Sequence, residues 1–177
     1  MYCEDNLGTD IDHFEPLASA PLRAFDWPNH LWACTHCNSN QKRHQYPCDA
    51  AGNCLLVDPT VDDPADHLRL LLNSGEYEAL TLKGEETIRV FGLNRPDLLD
   101  GRREAYVRVR SNLRDWHRLQ HEGDTTGEAE LLAQALLRSP FINVVRSMER
   151  LQGAMAMNVM GSEVATAVEA WRQAHGA

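Results

Sequence analysis

Two sets of metal-competent side chains crowd the start of this chain. Cys34 and Cys37 form a C-x-x-C within LWACTHCNSNQKRH, and Cys3 lies upstream as a third thiol. A tight turn at that spacing brings two sulfurs to one side, where they can bind one tetrahedral zinc. A buried cluster of free thiols is the alternative. The chain has five cysteines, at 3, 34, 37, 48 and 54, and an odd number cannot complete a disulfide framework. Cys48 and Cys54, in PCDAAGNC, read as incidental thiols. The second set is Asp12-His13 in DIDHFEP, with Asn38 directly after Cys37. A carboxylate and an imidazole side by side commonly form a surface or capping feature, but an imidazole can also exchange protons near neutral pH.

The elements that must position these residues are short at first. Residues 1–60 are rich in Cys, His, Asn, Trp and Pro, with little helical periodicity before Leu31, a composition that suits a small irregular fold held by a metal. DHLRLLLNSGEYEALTL carries a Ser-Gly turn signal between apolar flanks and reads as a hairpin. Ile88, Phe91 and Leu93 predict a short helix broken at Asn94-Arg95-Pro96. Leu99, Tyr106, Val109, Leu113 and Trp116 then recur at helical spacing, with Arg103, Arg110, Arg114 and Arg118 on another face. Such an arginine stripe is either a phosphate-binding face or a solvated face balanced by Glu104 and Asp115. Leu131, Leu132, Ala135 and Leu136 mark another helix after the loop at Gly123–Gly127. Pro140 is expected to start the next, lined by Phe141, Val144, Val145, Met148 and Leu151, and the last runs from about Ser162 through Val164, Val168 and Trp171. His67 reads as a helix-start or packing histidine; His117, His121 and His175 read as solvated.

At 177 residues the chain has room for one domain or a compact module with an extension. No stretch approaches the ~20 apolar residues that cross a bilayer, and no basic and apolar leader opens it, so a cytoplasmic location with reduced thiols is expected. A formal net charge of −9 excludes a protein that grips nucleic acid over its whole surface, because counterion release needs clustered Lys and Arg. Any basic site is local or supplied by a partner. Lys42, Arg43 and His44 are the local cations here.

The order of these features resembles the HNH (ββα-metal) nuclease family. DIDHFEP looks like its first motif, WPNHLWAC its middle motif and CTHCNSNQK its last; LLVDPTVDDPADHL and KGEETIRVFGLNR resemble the small nuclease subunits found beside ATPases in Septu and retron-associated antiphage systems. The resemblance covers residues 1–115 and loosens beyond them. It implies that His13 is the general base and that Asp12 and Asn38 hold a catalytic Mg2+ or Mn2+. It also implies that Asn29 orients the loop around His13, and that Lys42 and Arg43 contact the phosphate backbone. Cys3, Cys34 and Cys37 would hold a structural Zn2+. In such relatives the thiol before the Asp-His motif belongs to its own C-x-x-C, whose other cysteine would here precede Met1; His36, Cys48, Cys54 or water are the other candidates for the fourth ligand. Adjacent strand residues point to opposite faces, so Asp12 and His13 can serve one site only where the strand ends or bends. Asp10 shares the side of Asp12 and has no assigned role.

The expectation is therefore an α+β protein with an HNH core and cysteine zinc site in residues 1–60 and a mainly helical, partner-binding extension in 61–177. The expected function is metal-dependent hydrolysis of nucleic-acid phosphodiesters, DNA favoured, as the effector of a defence complex with an ABC-type or AAA-like ATPase. A ribonuclease, for example one directed at tRNA, and a zinc-stabilised interaction module with a vestigial site are the alternatives.

Overall fold

The computed structural model describes residues 2–5 and 8–175. They form an α-rich α+β chain with two antiparallel hairpins. The chain divides into two compact units, one comprising residues up to Leu71 together with Glu76–Leu98, the other Leu72–Gly75 together with the chain from Leu99.

The first unit begins with β1 (Asp10–His13) paired to β2 (His30–Ala33), in the register Asp10 to Ala33, Ile11 to Trp32, Asp12 to Leu31 and His13 to His30. Because side chains alternate along a strand, this hairpin has two unlike faces. Asp10, Asp12, Leu31 and Ala33 lie on one; Ile11, His13, His30 and Trp32 lie on the other. The connection contains two short 3-10 turns, Pro21–Phe25 and Trp27–Asn29. After β2 the chain winds through a π-helical segment, His36–Lys42. The Asn38 amide still donates four residues back to Cys34, whereas the Arg43 amide donates five back to Asn38 (2.8 Å). Arg43, at φ +51°, ends the segment in the left-handed region.

The rest of this unit packs against that segment. A short helix α1 (Pro64–His67), N-capped by Asp63, leads into the hairpin of β3 (Leu68–Leu71) and β4 (Glu76–Ala79) at the place the Ser-Gly turn predicts. Helix α2 (Leu82–Phe91) is capped by Thr81 at its start and by Gly92 at φ +56° at its end. Its Gly84 is required by crowding, since a Cβ there would collide with the His67 carbonyl. Thr87 of α2 accepts from the Val57 amide at 2.8 Å, which holds the buried Leu56-Val57 pair in the core with Val90 and Phe91. His67 ends α1 and does not start it, and its Nδ1 lies 2.8 Å from Thr81 Oγ1.

Helix α3 (Pro96–Glu122) enters the second unit, where it is joined by α4 (Glu128–Arg138), α5 (Ile142–Arg150), α6 (Gly153–Met160) and α7 (Ser162–His175). Of the predicted stripe of α3, Tyr106, Val109, Leu113 and Trp116 lie inside, whereas Leu99 is half-buried and its neighbour Leu98 takes the core position. Trp116 meets the fully buried Trp171 edge to face at 5.1 Å, and the Trp171 indole donates to Glu149 at 2.8 Å. Pro140 does not start α5. Phe141 adopts φ +61° and packs its ring over Gly101 of α3, where any Cβ would clash, so the helix begins only at Ile142. No described helix is long and apolar enough to cross a membrane.

Candidate metal and nuclease site

The three thiols converge. Cys3, Cys34 and Cys37 are buried, and their sulfurs lie within 4.8 Å of one another. Two thiolates on one tetrahedral zinc at a Zn–S distance of ~2.3 Å would stand ~3.8 Å apart, and Cys3 and Cys34 are 3.7 Å apart. The Cys37 amide points at Cys34 Sγ (3.4 Å). The Cys3 thiol is lowered to about 5, chiefly by its hydrogen bond with Cys37, while Cys37 is pushed up by that same bond and by burial. The donor set fits zinc and could hold it. Cys48 is exposed, with its sulfur toward the Tyr46 carbonyl, and His36 Nε2 lies 3.0 Å from Gln41 Nε2, so neither extends this cluster.

The carboxylate face of β1 meets the π-helical segment in two rungs. Two strand residues advance ~6.6 Å and one turn of four helical residues ~6 Å, so a D-x-D strand can match an N-x-x-x-K turn rung for rung. Asn38 Nδ2 donates to Asp10 Oδ2 at 2.9 Å and to the Ile11 carbonyl at 3.3 Å. Lys42 Nζ donates to Asp12 Oδ1 at 2.9 Å and to the His13 carbonyl at 2.8 Å. The first rung is half-buried and the second is inside: Asp12 is 2% exposed and Lys42 0%. The other oxygen of Asp12 accepts from the Tyr2 hydroxyl at 2.5 Å. Tyr2 stacks on Phe91 at 3.8 Å, and burial, with the Asp12 charge second, raises its hydroxyl well above the usual value, so it remains a donor.

This placement differs from the expectation at two residues. Lys42 is not a solvent-facing phosphate contact: it is the buried counter-ion of Asp12, and the exposed cation at the end of the segment is Arg43, whose Nε reaches the Ser39 carbonyl at 3.3 Å. Asp12, expected beside Asn38, has both oxygens engaged by Lys42 and Tyr2; the carboxylate that Asn38 touches is Asp10.

His13 closes β1 on the opposite hairpin face and is half-buried. The chain just beyond it is clamped by Asn29, which is fully buried. Asn29 Oδ1 accepts from the Glu15 amide at 2.7 Å, its Nδ2 donates to the Glu15 carbonyl at 3.1 Å, and its own carbonyl accepts from Phe14 at 2.9 Å. Asn29 thus ties the loop to the two residues that follow His13. The ring across the register is His30, a residue to which the sequence reading gave no role: its centroid lies 4.7 Å from that of His13, edge to face, and its Nδ1 is 2.8 Å from the Asp26 carbonyl.

In the second unit three arginines of the stripe are ion-paired, with acids other than the expected Glu104 and Asp115, and the fourth, Arg110, is half-buried. Arg103 pairs with Asp100, Arg118 with Glu122 at 2.8 Å and Arg114 with Glu163 at 3.4 Å. Arg110 lies over the Tyr106 ring and reaches the Met160 carbonyl.

No family model matches the chain, and no solved structure does. Over 132 residues it is 27% identical to the Septu protein PtuB of Bacillus mycoides (strain KBAB4), an alignment that covers 57% of this chain and 44% of that protein. The chain thus spans under half the length of the relative it matches, and the relationship it supports is distant homology to a Septu protein.

Proposed function

We propose that the chain is a metal-dependent endonuclease of the HNH (ββα-metal) type, with DNA the favoured substrate, acting in an antiphage defence complex beside an ATPase subunit. The observation that carries this reading is the end of β1. There His13 closes the strand and the buried Asn29 ties down the chain just beyond it, while on the other hairpin face the helical turn opened by Cys34 and Cys37 sets Asn38 against Asp10 and Lys42 against Asp12. His13 accepts a proton from the attacking water. Asn29, through Phe14 and Glu15, fixes the backbone that aims its ring. Arg43 supplies exposed positive charge for the phosphate. A divalent cation, when bound, would polarise the scissile phosphate and stabilise the leaving oxygen. Asp10 and Asn38, joined by the Asn38 Nδ2 to Asp10 Oδ2 bond on the hairpin face opposite His13, carry the half-buried carboxylate and amide oxygens that Mg2+ or Mn2+ would favour, and Asp12 keeps Lys42 in place. The distant homology to a Septu protein supports the defence setting and the partner.

Two outcomes separate the parts. Asp10→Ala is expected to raise the Mn2+ concentration required for cleavage by about ten-fold or more without changing the melting temperature. Asp12→Ala is expected to destabilise the chain. Should Asp12→Ala alone shift the Mn2+ dependence in a chain of unchanged stability, the anionic ligand is Asp12. The structural metal is tested apart from activity: about one zinc per chain is expected by metal analysis, lost with stability in Cys37→Ser because such a site contributes folding free energy directly. A folded wild-type chain free of zinc would refute it.

A further inference from the structure

The hairpin face that carries His13 is aromatic. Ile11, Trp27, Pro28, His30 and Trp32 line a groove of about 500 Å3 on it, within the size range of ligand clefts. Trp27 is 83% exposed and Trp32 56%, yet both rings are held. Trp32 lies against Gly8, where a Cβ would collide with its indole. Trp27 stacks on His30 with ring planes 25° apart and centroids 6.4 Å apart, and His30, anchored on the Asp26 carbonyl, contacts His13. Trp27 and His30 thus meet face to face within the groove, and His30 meets His13, which lies just outside its lining, edge to face. The loop that presents Trp27 is stiffened by Arg23, which bridges Glu15 at 2.7 Å and Asp26 at 2.9 Å, and by Asn29. No carboxylate lines the groove, although the chain as a whole carries a net charge of −9.

We infer that this groove is a stacking seat for an unpaired nucleobase beside the scissile phosphate, so that the substrate is single-stranded or locally unpaired nucleic acid. The inference rests on the nuclease reading for its placement at His13. A base has a free π-face to offer only when it is out of a duplex stack, and exposed aromatic rings in an acid-free groove accept any base without reading its edges. Preordered rings lose little entropy when they are covered. A protein partner would need a broader apolar surface than two indoles and a proline, and would leave the His30 imidazole against Trp27 unused.

The test is binding without chemistry. The full chain, in EDTA, is titrated with short oligothymidine, oligouridine and a matched DNA duplex, followed by tryptophan fluorescence. Trp27→Leu keeps apolar area at an exposed site but removes the ring. Tighter binding of the single strands than of the duplex, weakened about ten-fold in Trp27→Leu, is the expected result; the thymidine and uridine arms tell DNA from RNA. Equal binding of duplex and single strand, or an unchanged Trp27→Leu, overturns the seat. Loss of ATPase-partner association in Trp27→Leu with nucleic-acid binding intact also overturns it, in favour of a protein-docking face. Single-strand binding in a chain that never cleaves would leave the seat standing and remove the nuclease reading, whereas cleavage of duplex equally by wild type and Trp27→Leu would do the reverse.

Discussion

Lys42→Met is expected to destabilise the first unit by about 3–5 kcal/mol, because it leaves the Asp12 carboxylate buried without its counter-ion. The methionine fills the volume of the lysine stem, so the loss comes from charge. It also removes the donor to the His13 carbonyl, and the end of β1 should loosen with it. The Tyr2 hydroxyl alone does not compensate a full charge in that setting. Replacing both partners, as in Asp12→Leu with Lys42→Met, should recover most of the loss, since an apolar pair of similar volume often matches a buried ion pair. Urea unfolding of the two single variants and the double variant forms a cycle that measures the coupling. A Lys42→Met chain as stable as wild type would mean that the pair is not buried as described.

His13→Ala is expected to lower cleavage by about 10^2–10^4, the usual contribution of a positioned general base, while leaving unfolding unchanged. The separation is possible because, among the described residues, the hydrogen bonds that tie β1 to its neighbours do not run through the His13 ring. The strand is held through the His13 carbonyl, the Phe14 and Glu15 amides and the Asp12 carboxylate, all of which survive the substitution. His30→Ala is the instructive companion. It removes the ring against which His13 rests, and a smaller loss than His13→Ala is expected if His30 positions the base and does not replace it. Equal cleavage by His13→Ala and wild type would remove the imidazole from the chemistry.

Much of the fold could be read from residue spacing. The stripe Tyr106, Val109, Leu113 and Trp116 is buried along α3, and the turn at Ser74-Gly75 lies between β3 and β4, because periodicities of 3.6 and 2 are imposed locally by the backbone. Helix α6 was not legible: GAMAMNVM is apolar on most sides and offers no stripe to detect. Pro140 misled for a tertiary reason, the packing of Phe141 against Gly101. The thiol cluster was legible because three cysteines offer few combinations. The fate of Lys42 was not. Beside Arg43 and His44 a lysine reads as surface charge, and only the match between the D-x-D of β1 and the N-x-x-x-K of the π-helical segment would have assigned it to Asp12. The same alternation rule would have set His30 opposite His13 and Trp32 opposite Ile11, had WPNHLWAC been paired with DIDHFEP strand against strand.

The measurement that bears most directly on the account is cleavage of plasmid DNA and of total RNA by the purified chain, alone and with the ATPase subunit proposed to accompany it, with Mg2+ or Mn2+ and with EDTA. The account predicts cutting that requires the divalent ion and disappears in EDTA while the zinc remains bound. A folded, zinc-loaded chain that cuts neither substrate under any of these conditions would contradict it, and the thiol-stabilised hairpin would then stand as an interaction module.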